Sequence, residues 1–503
     1  MRQQDRPKGP RHIVIIGAGF SGVCLGIRLK RAGIHHFTIV EKAERVGGTW
    51  RDNIYPGAAC DTPSFSYCYS FEPNPDWSRK WAGQEEILAY LEHCVRKYDL
   101  TPHIRLGTAV ERARFHEQDG QWHVHTAGGD ELVADVLVSG VGQLNRPAYP
   151  DIPGLADFGG EAFHSAQWNH DCDLTGKRVA VIGNAASAIQ FIPQIAPRTA
   201  NLRVFQRSAN WMLPKNDYVY PAWAKALFRR VPSVARLYRS YLWLQHELRF
   251  PAFRGNRLMG AWATRRAERH IREQVSDPAL RRALVPDYPL GGKRILLSDD
   301  YYPTLERSNV HLITEPIDRV TRDAVVTADG TAHPADVLIF ATGFQSTSFL
   351  APMRIEGRDG RSLDAAWRDG AEAYLGLAVA GFPNFFMMYG PNTNLGHNSI
   401  LFMIECQVRY ILDCLRRMKE RDLRSIDVRP EVQSAYNERL QRELARTVWA
   451  RTGHSWYKTA GGRITNNWSG TTAAYWWRTR RADLRHYRCE AHAGAGADRS
   501  PAG

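Results

Sequence analysis

Two stretches of this chain share one pattern of apolar and polar positions. "RHIVIIGAGFSG" places the apolar run Val14, Ile15 and Ile16 before a glycine turn and the start of a helical pattern. A short apolar run bounded by such a turn predicts a strand buried on both faces. "FTIVEK" predicts the next strand and ends on Glu41. "KRVAVIGNAASAIQFI" then repeats strand, turn and helix, and "LRVFQRS" repeats the second strand. Two more buried runs, "VLVSGVGQ" at 136–143 and "VLIFATGF" at 337–344, also end in glycine turns. They predict the two crossings of the chain between a pair of domains.

The turns carry the first chemistry. Gly17, Gly19 and Gly22 match G-x-G-x-x-G, with Phe20 and Ser21 opening the helix. The glycines permit a tight turn and close approach of a pyrophosphate, and Glu41, about 20 residues on, meets a ribose hydroxyl. The second turn reads Gly183, Asn184, Ala185, Ala186, Ser187 and Ala188, so Ala185 stands where the middle glycine is usual. Its strand ends on Arg207 and Ser208 rather than on an acid, which suits a 2′-phosphate. Two such sites in one chain suggest a flavin and a nicotinamide nucleotide, FAD and NADPH.

The expected fold is therefore α/β, with two Rossmann-like dinucleotide-binding domains, the NADP domain inserted in the FAD domain. The FAD domain takes 1–145 and 341–488, and the NADP domain 146–214 and 291–340. Residues 215–290 form a helical insertion, and 489–503 have the composition of a disordered tail.

Composition narrows the class. The 503 residues are 44% hydrophobic and 23% charged, which suits a globular protein of two or more domains. The net charge of +14 concentrates in 215–290, in runs such as "FRRVPSVARLYRSYLW". A solvated helical surface, a phosphate-bearing ligand or a membrane-surface contact would each use such a segment, and no nucleic-acid module is present. No signal-peptide or transmembrane pattern occurs. The eight cysteines form no C-x-x-C and no zinc spacing, which fits a reduced, cytoplasmic protein.

At 158–169 the chain reads "FGGEAFHSAQWN". Phe158, Gly160, His164 and Trp168 fall at the spacing F-x-G-x-x-x-H-x-x-x-W, just before the second nucleotide fold. This resembles the fingerprint of the type I Baeyer–Villiger monooxygenases, with Asn169 where that family usually has Pro or Asp. The likeness extends to "KRILLSDDYY" at 293–302, "FPNFFMMYGPNTNLGHNS" at 382–399 and "HSWYKTAGGR" at 454–463. The "GPNTNLGHNS" segment looks most like the branch of hydroxyacetophenone monooxygenases, without their N-terminal extension.

The resemblance implies flavin contacts at Glu41, Gly48, Thr49, Trp50, Asp61, Tyr67 and Val110, which gives "GGTWRDNIYPGAACD" a purpose: a flat wall and a poised acid at the flavin edge. It implies that Asp61 orients Arg294, that Lys293 joins Arg207 and Ser208 on the 2′-phosphate, and that Trp456 closes over the nicotinamide nucleotide. His164 takes a structural place between domains. The implied reaction uses a ketone, O2 and NADPH and passes through a C4a-peroxyflavin anion to an ester or lactone. A permanently charged guanidinium stabilises that anion. An N- or S-oxygenase is the alternative, though it requires no such cation. A disulfide reductase would require a redox-active cysteine pair, which the sequence lacks, and a non-enzymatic binding protein would leave this residue set without a use.

Overall fold

The computed structural model describes residue 10, residues 12–453 and residues 455–492. Two five-stranded parallel sheets organise it. In the first, Ile13–Ile16 lies at the centre between Phe37–Val40 and Val136–Ser139. Phe385–Met387, more than 240 residues later, closes one edge and Ile104–Arg105 the other. In the second, Arg178–Ile182 is central, flanked by Asn201–Phe205 and Val337–Phe340. All strands of the second sheet lie between Glu161 and Phe340, so this domain is inserted in the first. Val14 and Ile15 are fully buried, as are Val181 and Ile339, which is why both runs read as uninterrupted apolar segments rather than alternating ones.

The helical insertion leaves and rejoins at one point. Met212–Leu213 pairs in parallel with Leu296–Leu297, and between them run the helices Ala222–Arg230, Pro232–Glu247 and Arg257–Gln274 with two shorter ones. This neck brings residues 207–213 beside residues 293–297. Arg239 Nη1 fastens the insertion to the FAD domain, donating to the carbonyl oxygens of Phe65 and Cys68, each at 2.8 Å.

One boundary differs from expectation. Cys489 to Ala491 do not belong to a tail: Tyr487–Ala491 pairs antiparallel with Leu423–Val428 and satisfies its backbone groups there. The rest of the expected tail, 493–503, lies outside the described residues. All eight cysteines are free, and no helix among the described residues is long and apolar enough to cross a membrane.

Candidate active site

The first glycine turn is closed against backbone. A Cβ on Gly22 would lie 1.9 Å from the Gly17 carbonyl oxygen, and one on Gly48 would lie 3.2 Å from Gly19 Cα. Only hydrogens therefore separate the turn from the start of Thr49–Asp52. The helix Phe20–Arg31 begins with no side-chain cap and no acid in its first turn, so its N–H groups are left for a phosphate. Glu41 is buried, and Oε2 accepts from the Ala18 N–H at 2.9 Å while Oε1 accepts from the Ala43 N–H and Arg51 Nη1. Three of its roughly four acceptor directions are filled, leaving one for a ribose hydroxyl. These features fit FAD.

The wall beyond the turn is aromatic. Trp50 Nε1 donates to the Tyr67 hydroxyl at 3.0 Å, and the Tyr67 ring meets those of Phe20 and Trp50 edge-on. Phe20 and Ser21 are buried, so their side chains support the wall rather than face solvent, whereas Thr49 is exposed. Val110 opens the strand Val110–His116 with its side chain in the same core cluster as Val14, Ile16 and Val40. Only its backbone is left for a cofactor.

Asp61 and Arg294 meet across the two domains. Nε and Nη2 of Arg294 lie 2.6 and 2.5 Å from the same oxygen, Oδ2 of Asp61. Both side chains keep about a third of their surface open (27% for Asp61 and 33% for Arg294), so the pair is held but reachable. Burial works to lower the Arg294 pKa, but Asp61, with Tyr457 and Tyr389 beyond it, raises it above the ordinary arginine value, so the guanidinium is permanently charged. The Asp61 loop is placed from the other domain. Gln190, on Ala188–Ile195, accepts from the Tyr55 hydroxyl and the Ala59 N–H and donates to the Ala59 carbonyl. Gly57, at φ +78°, passes so close that a Cβ would lie 2.7 Å from the Gln190 carbonyl oxygen. The Tyr-Pro-Gly turn is thus a docking turn, and it delivers Asp61 to the domain boundary.

In the second turn, a Cβ on Gly183 would lie 2.5 Å from the Ala341 carbonyl oxygen. Asn184 is buried and donates to Gln206 Oε1 at 2.6 Å and to the Ser208 carbonyl at 3.1 Å, which ties turn to strand end. Ala185 is exposed, Ala186 and Ser187 are partly so, and Ala188 starts a helix without side-chain cap or first-turn acid. Lys293 Nζ donates to Ser208 Oγ at 2.8 Å and lies 4.5 Å from the centre of the Tyr288 ring. Burial and then the nearby Arg207 lower the Lys293 pKa. Neither cation has a carboxylate within ion-pair distance among the described residues. Two unneutralised cations and a hydroxyl are the donor set of a phosphate site.

The 158–168 segment is internal. Gly160 is required by closeness: a Cβ would sit 2.2 Å from the Asp336 carbonyl oxygen and 2.8 Å from the Phe158 ring. His164 ends the edge strand Glu161–His164, is fully buried and accepts the Ala166 N–H on Nδ1, while burial lowers its pKa. Trp168 packs on Phe163 and Phe191, ring centres 5.2 and 5.1 Å away. Neither pairs with Asp61 or Arg294.

Three further residues, two of them about the pair, are absent from the sequence-derived set. Tyr389 has φ 57°, rare for a tyrosine, and donates to Asn394 Oδ1 at 2.7 Å. Tyr457 is fully buried beside the Trp456 ring, 4.6 Å between centres, and burial raises its pKa to about 12. Arg51 holds Glu41. The quoted segments "MMYGPNTN" and "HSWYKT" contain both tyrosines, but no local pattern marks which ring turns toward Arg294.

The pattern of a family described as pyridine nucleotide-disulphide oxidoreductase matches residues 14–231. It covers the nucleotide-binding scaffold. A Baeyer–Villiger monooxygenase of Pseudomonas aeruginosa is 46% identical over 491 residues, covering 97% of this chain and 93% of that protein. One of Streptomyces coelicolor is 45% identical, covering 94% and 92%. An oxidised steroid monooxygenase bound to NADP superposes with a TM-score of 0.86 at 32% identity, covering 95% of this chain and 99% of that one. A closed cyclohexanone monooxygenase reaches 0.86 at 28% with the same coverage. With this extent of similarity added to two nucleotide cradles and a charged pair at their junction, the chain belongs to the Baeyer–Villiger monooxygenases and is an FAD- and NADPH-dependent flavoprotein monooxygenase.

Proposed function

We propose that the Asp61–Arg294 pair serves the insertion of one oxygen atom of O2 beside the carbonyl of a ketone, giving an ester or lactone. Bound FAD, reduced by NADPH, supplies the electrons and the oxygen-activating centre. The observation that carries the reading is the placement of both Arg294 nitrogens on one oxygen of Asp61 with a third of the arginine still open. In that arrangement Asp61 fixes the plane of the guanidinium, and the open part presents a fixed positive charge to negative charge building on oxygen. Burial keeps Tyr389 and Tyr457 protonated and neutral, so neither cancels that charge. Arg207, Ser208 and Lys293 would hold the 2′-phosphate of NADPH, and Trp456, beside Tyr457, would close over the nicotinamide nucleotide.

A ketone is the class of substrate that this fixed cation suits, and the solved relatives include proteins named for cyclohexanone and for a steroid. N- or S-oxygenation makes no use of a fixed counter-charge. The test is a panel of linear, cyclic and aryl ketones with NADPH and O2, read by mass spectrometry. Products heavier by one oxygen support the proposal. NADPH consumption with oxygenated sulfides and no oxygenated ketone would overturn it.

A further inference from the structure

The helix Pro232–Glu247 carries apolar side chains on two faces, and the fold covers only one of them. Its inner face buries Ala235, Leu242 and, unusually, His246 and Glu247. Glu247 is partnered there through Oε1, which accepts from the Thr472 N–H and hydroxyl and from Asn398 Nδ2. The outer face instead carries Leu237, Tyr241, Leu244 and Leu248, at the i, i+4, i+7, i+11 spacing of a single stripe. Leu237 is 71% exposed and Leu248 63%. A soluble helix normally has the reverse arrangement.

The stripe is not isolated. Twelve of the eighteen exposed large apolar side chains among the described residues lie between 218 and 285. Trp223 and Leu227 stand out from the neighbouring helix Ala222–Arg230, which packs on this one through Phe228 and Tyr238, ring centres 5.8 Å apart. Residues 215–290 also contain fifteen Lys and Arg against six Asp and Glu, so this segment holds +9 of the chain's +14. Arg230 and Arg236, at the junction of the two helices, are exposed and have no ion-pair partner among the described residues.

We propose that this face of the insertion docks on an anionic lipid surface, its leucines and aromatic rings entering the headgroup–acyl boundary and its arginines meeting lipid phosphates. Charge decides between this partner and a second copy of the chain. A two-fold contact through the same face would set Arg230 and Arg236 against their own copies within a segment of net +9, whereas an anionic bilayer complements them. With no helix able to span a bilayer among the described residues, the attachment is peripheral and weakens as salt screens the charges.

The test uses the full-length, FAD-loaded protein and sedimentable vesicles of phosphatidylcholine alone or mixed with phosphatidylglycerol. The protein should sediment with the mixed vesicles at low salt, remain in solution with phosphatidylcholine, and be released at high salt. Leu237→Glu combined with Leu244→Glu should lower the partition coefficient by at least about tenfold while flavin absorbance and NADPH oxidation persist. Should that variant fail to fold, Arg230→Glu combined with Arg236→Glu reads the charge contribution and should show the same loss. No sedimentation of the wild type with the mixed vesicles overturns the proposal, as does binding by the folded variants equal to wild type. Analytical ultracentrifugation completes the choice: a dimer that the leucine variant splits, without vesicle binding, identifies the face as a contact between copies instead.

Discussion

Lys293 Nζ donates to Ser208 Oγ at 2.8 Å, joining two residues 85 positions apart in the chain. The parallel pairing of Met212–Leu213 with Leu296–Leu297 produces this meeting, because it closes the neck of the helical insertion and sets the two flanks side by side. With Arg207 on the same side and no acid at the strand end, the arrangement favours a phosphate over a free ribose hydroxyl. NADPH should therefore be strongly preferred over NADH. A charge-assisted contact contributes about 1.5–3 kcal/mol, so Arg207→Ala should lower kcat/KM for NADPH roughly 10- to 100-fold and leave that for NADH nearly unchanged. Steady-state kinetics with both nucleotides checks this, and equal wild-type values would remove the assignment.

Arg294→Ala separates binding from oxygen insertion. The glycine turns and Glu41 are untouched, so the variant should stay yellow and still be reduced by NADPH. Loss of one fixed stabiliser of developing charge costs roughly 10²–10³ in rate. Ester formation should fall by that factor, with NADPH consumption ending in hydrogen peroxide. Asp61→Ala should act in the same direction, since it frees the guanidinium to turn. Gas chromatography of the ester beside a peroxide assay measures both, and near-wild-type ester from Arg294→Ala would exclude the arginine from the reaction.

Ala185 is exposed, and its carbonyl accepts the Ile189 N–H in the first turn of the helix. A glycine can keep that bond and removes a methyl from the approach to the phosphates. Ala185→Gly should bind NADP+ about as tightly as wild type when titrated into the oxidised flavoprotein. A loss of about tenfold, or ~1.4 kcal/mol, would show that the turn is adapted to alanine.

Glu247 predicts acid sensitivity of the insertion. Burial alone would raise its pKa, but His397, Thr472 and Asn398 together lower it to about 2. A carboxylate with a depressed folded pKa adds stability that is complete above its unfolded value, about 4.3, and is lost as pH falls through the folded one. The window is therefore roughly pH 4.5 down to 2. Glu247→Gln should lower the melting temperature at pH 7 and lose less than wild type on acidification within that window. Parallel melting curves across pH would refute the linkage.

The sequence by itself determined the two nucleotide folds, their order in the chain and the residue types of both cradles. These are local properties: apolar runs fully buried in parallel strands, glycines where backbone must touch backbone, and charge at strand ends. It also marked Arg294 and Asp61 by resemblance. Which groups surround that pair was decided only by the tertiary structure, because Tyr389 and Tyr457 reach it from segments 68 residues apart whose own patterns are those of ordinary core. The same holds for Gln190, which stands on an apolar helix and acquires its role only when the Tyr55–Asp61 loop packs onto it. The insertion shows the limit most clearly. Its helical character and its charge were legible, but which face of Pro232–Glu247 would be covered was not, since apolar side chains stand on two of its faces. Packing against Ser64–Ser66 and Thr472–Arg478 chose the face bearing Leu242 and Glu247, where buried hydrogen-bond partners exist for the carboxylate, and left Leu237 and Leu244 outside.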